Sequence, residues 1–170
     1  DYQLKFAAES DKQFEMLQKL ELNEEQHKEL KKLANTRNLE FLSTAFDVKS
    51  LQMLVSLGIN RIKIPSGEIT NLPYLRFIAA QKKKVILSTG MSTLKDIENA
   101  LSVLVTGGVK KEDITVLHCT TDYPAKMDEV NLNAMVSIGK EFDVSMGYSD
   151  HTEGIEVSIA AVALGAVVIE

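Results

Sequence analysis

The sequence predicts an α/β fold, a partial (β/α)8 barrel with about six of its eight strands present. Three observations carry this expectation. Short β-rich runs alternate with amphipathic helical stretches along all 170 residues. Nearly every run ends in side chains capable of chemistry. Apolar residues make up 45% and charged residues 25% of the chain, a globular composition that excludes intrinsic disorder.

The elements follow in order. Residues 14–20 and 24–34 read as a helix pair, with Asn23 capping the second and Gln26 placed as its capping-box partner. The β-rich runs are 39–44, 61–65, 85–89, 114–119, 144–148 and 166–170. Each is short, apolar and often β-branched, as a strand buried on both faces should be. Between them, Leu51, Leu54, Val55 and Leu57 form one apolar helix face, and Leu72, Leu75, Ile78 and Ala79 a second. Leu94, Ile97, Ala100, Leu101 and Leu104 form a third, entered through Ser92 or Thr93 as a cap. Leu132, Met135, Val136 and Ile138 give a fourth helix, and residues 155–164 a fifth. Gly58, Gly107 and Gly108 stand where helices should end. No Pro/Ser-rich linker divides the chain.

A doubly wound sheet would concentrate ligand contacts at one crevice between two strands. A barrel gathers them from most strand ends onto one rim. The polar groups here fall at successive strand ends, which favours the barrel. Helices precede the first strand and none follows the last, so the expected assignment of residues 1–170 is a segment of a larger barrel domain.

Composition narrows the function. The net charge of −5 argues against general nucleic-acid binding. No apolar run is long enough to span a bilayer. The single cysteine, Cys119, permits no internal disulfide and fits a reducing, cytoplasmic setting.

Lys63 lies inside an otherwise apolar strand. A buried ammonium needs a partner, so Lys63 should face the barrel mouth and an anion. Ser66 and Gly67 follow in a turn suited to a phosphate or carboxylate, and Glu68 adds a carboxylate for a metal, a water or a proton. A Lys63–Glu68 pair sealing the strand end is the competing structural reading. Ser88-Thr89-Gly90 and Ser43-Thr44 offer hydroxyls at two more strand ends. In Gly147-Tyr148-Ser149-Asp150-His151, adjacent residues cannot form a hydrolase triad, and an imidazole metal ligand beside an anion-binding Ser149 fits better. His118 is expected to be buried with a hydrogen bond, and Cys119 to be a small core residue. A lysine, several hydroxyls, a carboxylate and a histidine on one rim suit an anionic, phosphorylated substrate with a divalent metal.

The motifs then resemble a known family. They are Lys63-Ile64-Pro65-Ser66-Gly67-Glu68 with Asn71 to Leu75, Leu87-Ser88-Thr89-Gly90-Met91, His118-Cys119-Thr120 with Tyr123-Pro124, Glu129 to Asn133, Gly147 to His151, and Ala160 to Gly165. In this order they are similar to the bacterial N-acetylneuraminate (sialic acid) synthases. Legionaminic and pseudaminic acid synthases share much of the pattern.

The resemblance implies a (β/α)8 barrel followed by a small antifreeze-like domain, in a homodimer that requires Mn2+ or Mg2+. The implied reaction condenses phosphoenolpyruvate with N-acetylmannosamine and water and releases phosphate. Carried over by motif, Thr44, Lys63, Ser66, Ser88 and Ser149 would hold phosphoenolpyruvate, with a further contact from Thr121. His151 would be one metal ligand. Glu68 would face the sugar aldehyde and activate water, and Tyr123 would contact the sugar. Ala45 stands where the family commonly has proline. The family's first two strands, its antifreeze-like domain and the second histidine ligand, which follows the glutamate matching Glu170, are not matched in these residues. The isolated segment is therefore expected to be inactive. Two other readings compete: a barrel lyase or aldolase with Lys63 as Schiff-base former, and a non-catalytic barrel that binds a sugar phosphate or a protein partner.

Overall fold

A computed structural model of the chain describes residue 15 and residues 18–170. The chain divides into two units, residues 1–41 and 42–170. In the first, helix α1 (Glu24–Thr36) starts at Asn23, whose side chain accepts the Gln26 N–H while the Gln26 side chain accepts the Asn23 N–H. This is the expected capping box. Of the expected helix over 14–20, residues 15 and 18–20 are described and are helical, and residues 14, 16 and 17 lie outside the described residues.

The second unit holds the barrel segment. Its elements are α2 (Val48–Ser56), β1 (Arg61–Ile64), α3 (Leu72–Gln81), β2 (Lys84–Ser88), α4 (Leu94–Thr106), β3 (Ile114–Cys119), α5 (Leu132–Phe142), β4 (Ser145–Ser149) and α6 (Glu156–Ala163). Local chemistry fixes the helix starts. Asp47 caps α2, Asn71 caps α3 with a proline in its first turn, and Thr93 caps α4 with Asp96 completing a capping box.

The four strands pair in parallel in the order β1-β2-β3-β4. Sequential neighbours joined by right-handed crossovers place every connecting helix on one face of the sheet. A doubly wound sheet instead reverses its strand order to clothe both faces. The sequential order makes this sheet an arc of a barrel. Register identifies the two faces. Tyr148 is fully buried with Met135 of α5 and Val157 and Ala161 of α6, so its side of β4 faces the helices. Alternation turns Ser149 to the other side. Pairing Cys119 with Ser149, Leu117 with Gly147, Ser88 with Leu117 and Ile86 with Lys63 places all of these on the inward face.

Two expected strands differ from the sequence reading. Residues 39–44 form no strand, because an extended segment becomes a strand only when a neighbour supplies a ladder. Residues 166–170 do run beside β4. Val167 N–H donates to the Met146 carbonyl at 2.9 Å, Tyr148 N–H to Val168 at 3.0 Å, Glu170 N–H to Tyr148 at 3.0 Å and Asp150 N–H to Glu170 at 2.9 Å. Only the Tyr148–Ile169 bridge is regular, so the segment is a fifth parallel lane without a full ladder. Four strands and this lane replace the six expected.

Candidate active site

Lys63 is 6% exposed on the inward face of β1. Its Nζ lies 2.8 Å from Glu170 Oε1. Lysine from the first strand of the arc thus meets a carboxylate from the last lane, across the concave side. The alternative Lys63–Glu68 pair does not form. Glu68 instead accepts from Asn71 Nδ2 at 2.6 Å, which ties its carboxylate to the cap of α3. Sequence reading valued Glu170 only as a landmark. No local pattern marks it, because its partner lies 107 positions away and only closure of the arc joins them.

Ser66 starts the turn after β1. Its hydroxyl accepts the Gly90 N–H at 3.0 Å and lies 3.8 Å from Cys119 Sγ. A Cβ at Gly90 would stand 2.6 Å from Thr121 Cγ2, 2.9 Å from Ser66 Oγ and 3.0 Å from Cys119 Sγ. Glycine is therefore what lets the ends of β1, β2 and β3 close on one another. Cys119 is buried, as expected, and forms part of this junction.

Ser88 is 3% exposed, and among the described residues its hydroxyl has no hydrogen-bond partner. It belongs to the inward face with Lys63. A buried hydroxyl without a partner is costly, and one beside a buried ammonium is suited to an anion's oxygen. Thr89 is spoken for, since its hydroxyl donates to the Leu117 carbonyl at 2.9 Å. Thr44 is exposed. The adjacent Ala45 carbonyl accepts from the buried Tyr74 hydroxyl at 2.6 Å, which pins that segment to α3. Burial, followed by the charges of Glu68 and Asp47, pushes the Tyr74 phenol up to about 12.

Ser149 and His151 close the far side. His151 Nδ1 lies 2.7 Å from the Thr120 carbonyl, and Nε2 lies 3.2 Å from Ser149 Oγ. A carbonyl only accepts, so Nδ1 donates to it, and Nε2 is the ring nitrogen turned to the Ser149 side. The Tyr123 ring packs over the imidazole at 4.2 Å between centroids. Asp150 anchors the same loop. It accepts from the Thr152 N–H and hydroxyl at 3.0 and 2.7 Å and from the Ser158 hydroxyl at 2.6 Å. Thr121 and Tyr123 are exposed on this rim.

The His151 arrangement suits a metal ligand, whose second ring nitrogen commonly donates to a carbonyl. Among the described residues, however, no group of three His, Cys, Asp or Glu side chains converges on a cation site. His151 can supply one ligand, and these residues alone do not complete a coordination shell.

His118 departs from expectation. Its Nε2 is buried without a hydrogen-bond partner among the described residues, and burial lowers its pKa. It pairs in register with Tyr148 and so belongs to the helix-facing side. There it lines a cavity of about 450 Å3 with Ile97 and Ile138, away from Lys63.

The NeuB family profile matches residues 1–170. The chain belongs to the NeuB family. It is 57% identical over 169 residues to the N,N'-diacetyllegionaminic acid synthase of Campylobacter jejuni, covering 99% of this chain and 51% of that protein. It is 48% identical to the N,N'-diacetyllegionaminic acid synthase of Legionella pneumophila, covering 100% and 48%. The crystal structure of N-acetylneuraminic acid synthetase from Leptospira borgpetersenii, in complex with citrate, superposes with a TM-score of 0.89 at 32% identity, covering 99% of this chain and 57% of that one. This NeuB chain spans about half the length of the curated relatives it matches. The superposition establishes the partial barrel.

Proposed function

We propose that residues 1–170 form part of the condensing barrel of a nonulosonic acid synthase of the legionaminic type. The reaction would join phosphoenolpyruvate, an N-acetylated amino sugar and water, and release phosphate. The observation that carries the reaction class is the inward row of Lys63, Ser66, Ser88 and Ser149 beside the His151–Tyr123 rim, in a NeuB-family barrel. The choice of sugar rests on similarity. Identities of 57% and 48% to legionaminic acid synthases stand against 32% to the solved sialic acid synthetase. This favours the legionaminic reading over N-acetylneuraminate synthesis from N-acetylmannosamine, with the pseudaminic reading next.

Lys63 and the hydroxyls of Ser66, Ser88 and Ser149 hold the phosphate and carboxylate of phosphoenolpyruvate, with Thr44 and Thr121 at the edges. These donors are fixed by the fold before substrate arrives, so little reorganisation opposes charge development. Tyr123 presents its exposed face to the sugar. The enol carbon forms the new C–C bond to the aldehyde carbon, and the aldehyde oxygen takes up a proton. Water adds to the carbon bearing the phosphate ester and gives up a proton to Glu68, which Asn71 orients. Phosphate departs by C–O cleavage. His151 would be one ligand of a divalent Mn2+ or Mg2+, which when bound would supply Lewis acidity toward the aldehyde. The remaining ligands, an antifreeze-like domain, homodimerisation and a cytoplasmic setting belong to the same proposal for the complete protein, of which this segment alone is expected to be inactive.

The test is phosphate release from phosphoenolpyruvate by the complete protein. It is measured with N-acetylmannosamine, with the diacetamido sugar that would yield N,N'-diacetyllegionaminic acid and with the precursor sugar of pseudaminic acid. Faster turnover of the diacetamido sugar supports the legionaminic reading, and preference for N-acetylmannosamine returns it to sialic acid. Release only with the precursor sugar of pseudaminic acid would move the reading there, and no sugar-dependent release with any of the three would leave the non-catalytic barrel.

A further inference from the structure

We propose that Asp150 is a positioning residue that holds His151 and Tyr123 together as one end of the site, acting through helix α6 and not through contact with substrate. The proposal rests on the reading of His151 and Tyr123 as the metal and sugar end, and it adds to that reading a residue that touches neither.

Asp150 follows Ser149 at the end of β4, and alternation turns it to the opposite face. Ser149 faces inward with Lys63 and Ser88, so the Asp150 carboxylate faces the helices. There it accepts three hydrogen bonds. Oδ1 takes the Thr152 N–H at 3.0 Å and the Thr152 hydroxyl at 2.7 Å, and Oδ2 takes the Ser158 hydroxyl at 2.6 Å. A carboxylate, which only accepts, suits three converging donors. Ser158 lies in the first turn of α6, and Ile155, which opens that helix, supplies no side-chain cap. The carboxylate therefore stands where a helix start favours negative charge.

His151 lies between the two residues that this tie joins. The Oδ1 bond from Asp150 to the N–H two residues on closes an Asx turn with His151 at its centre. The same segment grips the loop after β3. The His151 carbonyl accepts the Ala125 N–H at 2.8 Å, Ala125 and Thr152 form a parallel bridge, and His151 Nδ1 donates to the Thr120 carbonyl at 2.7 Å. Residues 120 and 125 bracket Tyr123, whose ring packs on the imidazole. Imidazole and phenol are thus held by two interlocked loops, and Asp150 fastens those loops to a helix.

The other end of the site is built differently. Lys63, Ser88 and Ser149 stand within paired strands, and Ser66 is held by the Gly90 N–H. Loss of the Asp150 tie leaves those supports in place. The consequence is a split: metal and sugar binding depend on Asp150, and phosphoenolpyruvate binding does not.

The experiment uses the complete protein and its Asp150→Ala, Ser158→Ala, Ser158→Thr and His151→Ala variants. Calorimetry measures Mn2+ binding and, without metal, phosphoenolpyruvate binding. Phosphate release gives the KM for the preferred sugar, and mass spectrometry follows amide exchange over 121–125. Asp150→Ala is expected to weaken Mn2+ binding about tenfold, the scale for losing an outer-shell support. It should also raise the sugar KM and speed exchange over 121–125, with phosphoenolpyruvate affinity unchanged. Ser158→Ala, which cuts only the far end of the tie, should move the same three quantities by less. Ser158→Thr, which keeps the hydroxyl, should restore them. Ser158→Ala and its rescue keep the test decisive if Asp150→Ala does not fold. Lower thermal stability with Mn2+ affinity, sugar KM and exchange all unchanged would overturn the positioning role. A loss of phosphoenolpyruvate affinity equal to that of Mn2+ would overturn it too, because the tie would then support the whole rim. Mn2+ affinity unchanged in His151→Ala would overturn the metal reading alone, and exchange over 121–125 with the sugar KM would then decide the positioning role.

Discussion

His151 Nδ1 donates to the Thr120 carbonyl at 2.7 Å, so the loop after β3 sets the tautomer of a ring at the end of β4. Nε2 is thereby the nitrogen left to face a ligand, and the Tyr123 ring limits rotation of the imidazole. If Nε2 is a metal ligand, His151→Ala in the complete protein lowers Mn2+ affinity by at least about 100-fold. Tyr123→Ala, which removes only the packing, should cost less. Titration of the metal into each variant measures this, and Mn2+ affinity unchanged in His151→Ala would exclude the ligand role.

Lys63 is engaged by a carboxylate on the inward face, an arrangement for binding charge. Lys63→Gln should raise the phosphoenolpyruvate KM by about 30-fold or more, the scale for truncating one member of a desolvated charge pair. The competing Schiff-base reading makes a different demand. Borohydride treatment in the presence of substrates would then add a covalent mass at Lys63. Mass spectrometry of the treated protein is expected to show no such adduct.

The local elements were legible in the sequence because local rules govern them. The capping box at Asn23, a cap at Ser92 or Thr93, the apolar face of α4 and the strand over Ile114–Cys119 each depend on residues close in sequence. The barrel followed from where polar residues fell, since side chains at the ends of parallel strands share one rim. What stayed hidden depends on pairing across distance. Residues 39–44 have strand composition and no ladder. Glu170 is an acidic residue after an apolar run until the arc brings it to Lys63. His118 was expected to have a hydrogen bond, and its register on the helix-facing side left Nε2 without one.

Tyr74 joins α3 to the segment carrying Thr44 through one buried hydrogen bond to the Ala45 carbonyl. Tyr74→Phe keeps the ring and leaves that carbonyl without its donor. The expected cost is about 1–3 kcal/mol of stability. Thr44 should also loosen, seen as faster amide exchange over 44–46. Urea denaturation and hydrogen exchange measure the two effects. An unchanged midpoint with unchanged exchange would show that the bond pins nothing.

Asp47 caps α2, and the Ser50 hydroxyl and N–H hold its carboxylate below the usual aspartate range. A depressed folded pKa means that the native state favours the ionised form. The resulting stability is complete above the ordinary aspartate value and is lost as pH falls through the lower folded value. Asn also caps helices well but does not titrate. The stability difference between wild type and Asp47→Asn should therefore hold steady from pH 7 to pH 5. It should then shift against the wild type as the pH drops below about 4, where aspartate begins to protonate. Thermal melts of both proteins across this range measure the difference. A gap that stays constant down to pH 2.5 would show that the Ser50 contacts do not favour the charged form of Asp47.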